Sequence, residues 1–169
     1  MASGVKLSKV EVLTCFLEHV SGEIVALTAS ARAAHQAATH EESKAEDRHD
    51  TFAIEASYLA AGQSVRVMEL EKFRTELEGY LTGTRESEIV APGSLLSYES
   101  DGVVHWVLMA KSGGGVRTTL DQREQGAISV QILSTISPLG SELLGLRAGD
   151  EVEVEIRRSA KDFRVRSVE

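Results

Sequence analysis

The densest group of ionisable side chains in the sequence is the segment "HEESKAEDRHD" at positions 40–50, where five of eleven residues are carboxylates. These are Glu41, Glu42, Glu46, Asp47 and Asp50, and Glu55 follows shortly afterwards. Carboxylate oxygens are natural ligands of a hard cation such as Mg²⁺, which takes one or two protein carboxylates and leaves its other positions to water and phosphate. The segment therefore has the chemistry to act on a magnesium ion.

A structural explanation of the same acidic segment is equally open from its spacing. Ser43 and Glu46 stand three residues apart, as in a helix capping box, and carboxylates near a helix N-terminus interact favourably with its dipole. A charged segment between two helices can also simply be solvated. Spacing alone does not decide between these alternatives.

Helical patterns flank the acidic segment on both sides. The first run, 8–38, begins with the capping box of Ser8 and Glu11. Its apolar residues recur at steps of four and three and form a heptad seam: Leu13, Leu17, Val20, Ile24, Leu27, Ala31, Ala34 and Ala38. The second run, about 52–81, has a similar stripe: Ile54, Tyr58, Ala61, Val65 and Met68, then Leu70, Phe73, Leu77 and Leu81. Two such seams predict an antiparallel coiled-coil hairpin over residues 1–82, with its acidic tip at about 39–51.

After a linker at 83–88, the apolar period changes from helical to two. Perfect alternation predicts a strand at "EVEVEIR" (151–157), and "VVHWVLM" (103–109) indicates a more buried strand. Strands are also predicted at "AISVQILS" (127–134) and "DFRVRSV" (162–168). "SELLGL" (141–146) is long enough for one or two helical turns, and "SGGG" (112–115) indicates a turn rather than a phosphate-binding loop. The sequence thus predicts an α+β protein, with the hairpin followed by a small β-rich domain at 89–169.

Composition limits the possible partners. The net charge is −8, which argues against direct binding to DNA, because affinity for phosphate backbones needs clustered Lys and Arg. Cys15 is the only cysteine, so neither an internal disulfide nor a cysteine zinc site is available. No apolar run approaches the roughly 18 residues of a membrane span. We therefore expect a cytoplasmic protein without a tightly bound cofactor.

The C-terminal region resembles the Gre family of bacterial transcription elongation factors, GreA and GreB. "ISPLGSELLGLRAGDEVEVEI" (136–156) has the family's Ser-Pro-Leu-Gly turn, its Leu-Leu-Gly helix and a Gly-Asp pair before an alternating strand. "PGSLLSY" (92–98) is similar to the domain's opening strand, and "EASYLAAGQSVRVMELE" (55–71) to the start of the second coiled-coil helix.

This resemblance implies a function for the acidic tip. Gre factors bind RNA polymerase with an FKBP-like C-terminal domain and insert the hairpin into the secondary channel. Acidic tip residues then help to hold a second Mg²⁺ in the polymerase active site, which cuts backtracked RNA. By this resemblance Ser137, Pro138, Leu139 and Gly140 contact polymerase, and Glu46, Asp47 and Asp50 act on its Mg²⁺, with Glu41, Glu42 and Glu55 as further candidates. The chain would be an accessory factor, not an enzyme, and its contact with nascent RNA would be indirect.

Three positions depart from the family pattern. The family's tip motif, Gly-Asp-Leu-x-Glu-Asn-x-x-Tyr, falls on "DTFAIEASY" (50–58), so Thr51 and Ile54 stand where the family has its Asp and Glu. Before the Ser-Pro pair stands Ile136, where the family usually has an acid. The tip therefore leaves open whether the protein stimulates cleavage or regulates polymerase without it. The alternatives are a cytoplasmic coiled-coil protein with another partner and, from the FKBP-like domain alone, a prolyl isomerase, for which Tyr98, Trp106 and Phe163 offer few pocket aromatics.

Overall fold

A computed structural model describes residues 6–41, 49–83, 87–122, 126–156 and 158–169. Within these ranges, 37–41, 49–57 and 60 are described by their backbone alone. The elements in chain order are α1 (Lys9–Glu41), α2 (His49–Thr82), β1 (Leu95–Ser100), β2 (Val103–Ala110), β3 (Arg117–Gln122), β4 (Gly126–Ser134), α3 (Pro138–Leu143), β5 (Glu151–Ile156) and β6 (Ser159–Val168). Two long helices followed by a sheet with one short helix confirm the predicted α+β class.

Packing divides the chain into two compact units. The hairpin unit comprises Glu18–Thr75, and the sheet unit comprises Met1–Leu17 with Glu76–Glu169. The first turns of α1 and the last turns of α2 therefore pack with the sheet unit. A packing unit need not fold alone, so the boundary at 83–88 between two domains stays a prediction.

The hairpin unit pairs α1 and α2 in antiparallel directions. Gln63 Nε2 donates a hydrogen bond to Ser30 Oγ at 3.0 Å, and Arg66 lies 3.3 Å from the Glu23 carboxylate. From Gln63 to Arg66 along α2, the partner on α1 moves back from Ser30 to Glu23, as expected of two antiparallel helices. Buried side chains at Val20 and Ile24 lie on the predicted α1 seam, as the heptad pattern requires.

The first half of the α2 seam lies on a different face from the one predicted. Tyr58, Val65 and Met68 are 75%, 53% and 54% exposed, so they do not face α1. Gln63 and Val67 are half-buried instead, and Leu70 is buried. Gln63 can occupy a position on the contact face between α1 and α2, because its side chain donates a hydrogen bond to Ser30 across the hairpin. Apolar periodicity cannot detect such a seam.

Helix α1 is also apolar enough to resemble a membrane span. Its segment Lys9–Gln36 reaches a mean hydropathy of 1.4 over its most apolar window, which meets the length and composition of a single span. However, Val12, Leu13, Phe16, Val20 and Ile24 are all buried within the protein. A single helix of this kind is weak evidence for a membrane span, because core helices of soluble proteins and signal sequences meet the same criteria.

The sheet unit is built on six strands in the order β3-β4-β2-β1-β6-β5. Neighbouring strands are antiparallel except for β2 and β4, which run parallel. Strand β3 lies at one edge of the sheet and is separated from β2 by one strand position. The chain then turns back, and β4 fills that position between β3 and β2. The apolar patterns predicted β2, β4, β5 and β6, and the family resemblance of "PGSLLSY" predicted β1. Strand β3 was missed, because "RTTLDQ" has a single apolar residue, Leu120.

Both faces of the central strands are buried. On one face, Val90, Leu96, Val107, Met109, Leu143 and Val165 form the apolar cluster beneath α3. On the other face, Leu95 and its cross-strand partner Leu108 are 1% and 0% exposed. Successive side chains of a strand point to opposite faces of the sheet. Leu95 and Leu96 of β1 are therefore buried on opposite faces, which is why this strand does not begin with an alternation of apolar and polar residues.

Glu76 of α2 anchors this helix to the sheet unit. Its Oε1 accepts a hydrogen bond from the Lys111 N–H at 2.6 Å, and its Oε2 accepts one from the Ser112 N–H at 3.1 Å. The Tyr80 hydroxyl donates to the same carboxylate. Partial burial acts to raise the pKa of Glu76, but these hydrogen bonds outweigh it and hold the pKa below its usual value.

We expect Glu76→Gln to lower stability at neutral pH by about 1 kcal/mol, because an amide replaces a carboxylate that accepts three hydrogen bonds in a partly solvated place. The folded pKa lies below the unfolded one, so this stabilisation is present above the ordinary carboxyl range near pH 4.3 and is lost as the pH falls through the folded pKa. Urea unfolding at pH 7 and pH 3 measures the effect.

Glu71→Gln is the matched control, since Glu71 is an exposed residue of the same helix. The control should leave stability nearly unchanged at both pH values. A stability loss from Glu76→Gln that was equal at pH 7 and pH 3 would contradict the carboxylate anchor.

Candidate functional site

The Ser-Pro-Leu-Gly turn connects the end of β4 to the start of α3. Ser137 is the N-cap of α3, with φ −72° and ψ 155°. Its Oγ accepts a hydrogen bond from the Gly140 N–H at 3.1 Å and donates one to the Ser134 carbonyl at 2.7 Å. The helix begins at Pro138, three residues before the predicted start, because Pro is well suited to a first helical position behind a serine cap.

Gly140 makes this turn tight. A Cβ placed on Gly140 would lie 2.0 Å from the Ser134 carbonyl oxygen, far inside van der Waals contact. The backbone of α3 therefore lies directly against the end of β4, and no other residue fits at this position.

The four residues predicted to contact polymerase differ in their accessibility. Pro138 is exposed, Ser137 and Leu139 are half-buried, and Gly140 is buried. Leu139 packs against the apolar cluster beneath α3. Gly140 and Leu139 thus shape the turn, while Pro138 presents its surface to solvent. Their contact with a partner stays a prediction. We call residues 134–141 the docking turn.

Ser137→Ala tests the structural part played by this serine. Removal of the N-cap hydroxyl leaves the Gly140 N–H without its acceptor, and we expect a loss of about 1 kcal/mol of unfolding free energy. Urea denaturation measures the loss, and Ser137→Thr, which keeps a capping hydroxyl, should restore most of it. Equal stability of all three proteins would show that the cap is dispensable.

The Gly-Asp pair forms a second turn near α3. Gly149 has φ +99°, a conformation that favours glycine, and its N–H donates to the Val165 carbonyl at 2.8 Å. Asp150 Oδ2 accepts a hydrogen bond from the Arg147 N–H at 2.8 Å. These hydrogen bonds hold the turn before β5 against β6, so the Gly-Asp motif has a structural role here.

The structure describes no side chain of the acidic residues predicted to act at the tip. Glu42, Glu46 and Asp47 fall in 42–48, outside the described residues. Glu41 ends α1, while Asp50 and Glu55 belong to the first turns of α2, with only their backbone described. A magnesium role for any of them stays a prediction. Among the side chains that the structure does describe, no three of His, Cys, Asp or Glu are grouped to hold a metal.

The aromatic residues of the sheet unit pack on one another. The Tyr98 ring stacks on His105 with 5.2 Å between centroids and meets Phe163 edge-on at 5.5 Å. Burial raises the pKa of the Tyr98 hydroxyl. These contacts join Tyr98, Phe163 and the exposed His105 in one cluster on the sheet.

Comparison with known proteins identifies the sheet unit. Residues 105–169 match the family model described as "Transcription elongation factor, GreA/GreB, C-term". The family match covers this C-terminal part of the chain. The match includes the docking turn, α3 and the Gly-Asp turn, and it confirms the resemblance to the Gre elongation factors. A comparison with curated proteins finds no significant match.

Solved structures of Gre-type proteins are also similar to the chain. Gfh1, the GreA factor homolog 1 of Thermus thermophilus, is 20% identical with a TM-score of 0.34, covering 90% of this chain and 94% of that one. Gfh1 of Thermus aquaticus is 21% identical with a TM-score of 0.36 and 99% coverage of both chains. GreA/GreB from Nitrosomonas europaea is 18% identical with a TM-score of 0.33, covering 62% and 88%. At these values the assignment of the Gre-type domain rests on the family match alone.

Proposed function

We propose that this protein is a Gre-like transcription factor that binds bacterial RNA polymerase through the secondary channel and modulates elongation. The observation that carries the proposal is the GreA/GreB match over 105–169, which includes the complete docking turn. The antiparallel hairpin is the second element that such a function needs, and α1 and α2 supply it. The proposed place of action is the cytoplasm, where polymerase is found.

The docking turn is suited to a protein partner because it is rigid and partly exposed. Ser137 and Gly140 fix its backbone through hydrogen bonds and close packing, and Pro138 is open to solvent. A preorganised loop loses little conformational entropy on binding. In the proposed complex this turn holds the C-terminal domain on the rim of the channel.

The acidic tip supplies the proposed effect on the reaction. Carboxylates at Glu46, Asp47 and Asp50 would act through negative charge close to a Mg²⁺ that belongs to the polymerase and not to this chain. That ion supplies activation of water and stabilisation of the phosphoryl charge. Because Thr51 and Ile54 replace the family's acids, two outcomes follow from the same docking: cleavage of backtracked RNA, or occupation of the channel without cleavage.

One observation favours a second candidate, a coiled-coil protein with another partner. The exposed apolar residues Tyr58, Val65 and Met68 lie toward one side of α2. Several large apolar side chains on one stretch of surface are typical of an interaction site. The same stretch could line the polymerase channel or meet a different protein.

Purified RNA polymerase tests both candidates in one experiment. The immobilised full-length protein should capture core polymerase at micromolar or lower concentration, and a GreA-type factor should displace it. An unrelated acidic coiled-coil protein is the control and should capture none. Absence of polymerase binding would refute the proposed function and favour the second candidate.

A further inference from the structure

Ile136 is the most exposed of the large hydrophobic side chains in the described ranges, with 86% of its surface open to solvent. Single exposed apolar residues are ordinary on protein surfaces. The position of Ile136 is less ordinary, because it lies inside the docking turn between the end of β4 and the cap of α3.

The backbone on both sides of Ile136 is fixed. Before it, the Thr135 N–H donates to the Ala110 carbonyl at 2.9 Å. After it, the Ser137 N–H and Oγ both donate to the Ser134 carbonyl, at 3.0 and 2.7 Å. Gly140 packs against that same carbonyl. Ile136 therefore cannot turn toward the core without breaking these contacts, so its exposure is imposed by the turn.

The docking turn is also free of charge. Residues 134–141 read "STISPLGS", eight residues without an ionisable side chain in a chain that is 26% charged. A turn of this kind has no ion pair to offer a partner. Its exposed apolar groups are the Ile136 side chain and the Pro138 ring, and the hydroxyls of Ser137 and Ser141 already donate hydrogen bonds within the turn.

We propose that Ile136 is the anchor of the docking turn and inserts into an apolar pocket on RNA polymerase. The inference rests on the proposed function and names the contact that gives the docking its specificity. Rigid, exposed anchors of this type dominate many protein interfaces, since their burial is favourable and little ordering is required. The affinity for polymerase should therefore depend on the size of the side chain at position 136. The contribution of this contact should depend only weakly on the salt concentration, because the turn carries no charge.

The test compares dissociation constants for full-length variants with purified core polymerase. Burial of an isoleucine side chain corresponds to about a 10- to 100-fold change in Kd. Ile136→Asp and Ile136→Ser should each weaken binding by about that factor, and Ile136→Val by only about 2- to 5-fold. Val103→Asp, at an exposed position of β2, is the control and should bind within about 2-fold of the original protein.

The outcomes separate this inference from the proposed function. If the unaltered protein binds polymerase and Ile136→Asp or Ile136→Ser binds equally well or more tightly, the anchor is wrong while the function stands. If the unaltered protein does not bind, both are wrong. Each variant's melting temperature is measured alongside, and a weakened Ile136→Ser with an unchanged melting temperature establishes the anchor even if Ile136→Asp folds poorly.

Discussion

Neutralising the tip by Glu46→Gln, Asp47→Asn and Asp50→Asn should abolish the effect of the protein on transcription and leave its stability nearly unchanged. These acids lie in or beside the segment between α1 and α2, and exposed ion pairs contribute only about 0–1 kcal/mol to stability. Binding through the C-terminal domain should persist, because the docking turn is far along the chain from these residues. Melting temperature, polymerase affinity and transcript length are the three measurements.

A second triple variant separates position from net charge. Glu153→Gln, Glu155→Gln and Asp162→Asn remove the same number of charges from exposed positions on β5 and β6. This variant should retain full activity. Loss of activity in both triple variants would indicate that general acidity, and not the tip, is responsible.

The response of the tip variant to Mg²⁺ distinguishes the two modes of action. If the protein stimulates cleavage, a higher Mg²⁺ concentration should partly rescue the variant, because the lost carboxylates had favoured metal occupancy. If it blocks the channel, no rescue is expected. A tip variant that unfolds would assign these acids to helix capping, and one with full activity would show that they are only solvated.

Gly140→Ala should be the most destabilising single substitution in the docking turn, with a loss of about 3 kcal/mol or more. The added Cβ would collide with the Ser134 carbonyl oxygen, and a backbone atom cannot move aside by changing rotamer. Either the end of β4 or the start of α3 must shift. The same shift would displace Ile136 and Pro138, so polymerase affinity should fall with stability.

Gly79→Ala is the matched control and should have the opposite sign. Gly79 lies in α2 with nothing within 4 Å of its added Cβ, so alanine should raise stability by up to about 1 kcal/mol. Urea unfolding of both variants checks the pair. A Gly140→Ala protein as stable as the original would contradict the close contact between α3 and β4.

Apolar periodicity predicted the positions of helices and strands better than it predicted which of their faces are buried. Helices α1 and α2 and four of the strands were predicted from apolar patterns, and β1 was predicted from the family resemblance. The apolar repeat failed in α2, where polar Gln63 lies on the contact face, and in α1, which is buried on more than one side. Val12 and Phe16 are fully buried yet lie off the predicted α1 seam, because the first turns of α1 pack within the sheet unit.

Hydrogen-bonded details of the site were beyond sequence reasoning. Glu76 looked like one of many helix acids, and only its contacts to Lys111 and Ser112 show that it anchors α2. The polymerase contact predicted for Ser137 stays a prediction, and sequence reasoning did not show that its hydroxyl caps α3. These roles depend on residues that meet through folding, and no local pattern records them. By contrast, the Ser-Pro-Leu-Gly and Gly-Asp motifs were recognisable since each turn is formed by neighbouring residues.

The most direct test is a transcript-cleavage assay on a backtracked elongation complex with purified polymerase and a saturating amount of this protein. A Gre-like factor that reaches the active site must change the rate at which the RNA is shortened, faster if the tip supports cleavage and slower if it obstructs it. The tip triple variant should lose that change, and the β5–β6 triple variant should keep it. An identical time course of RNA shortening with and without the protein would contradict the account.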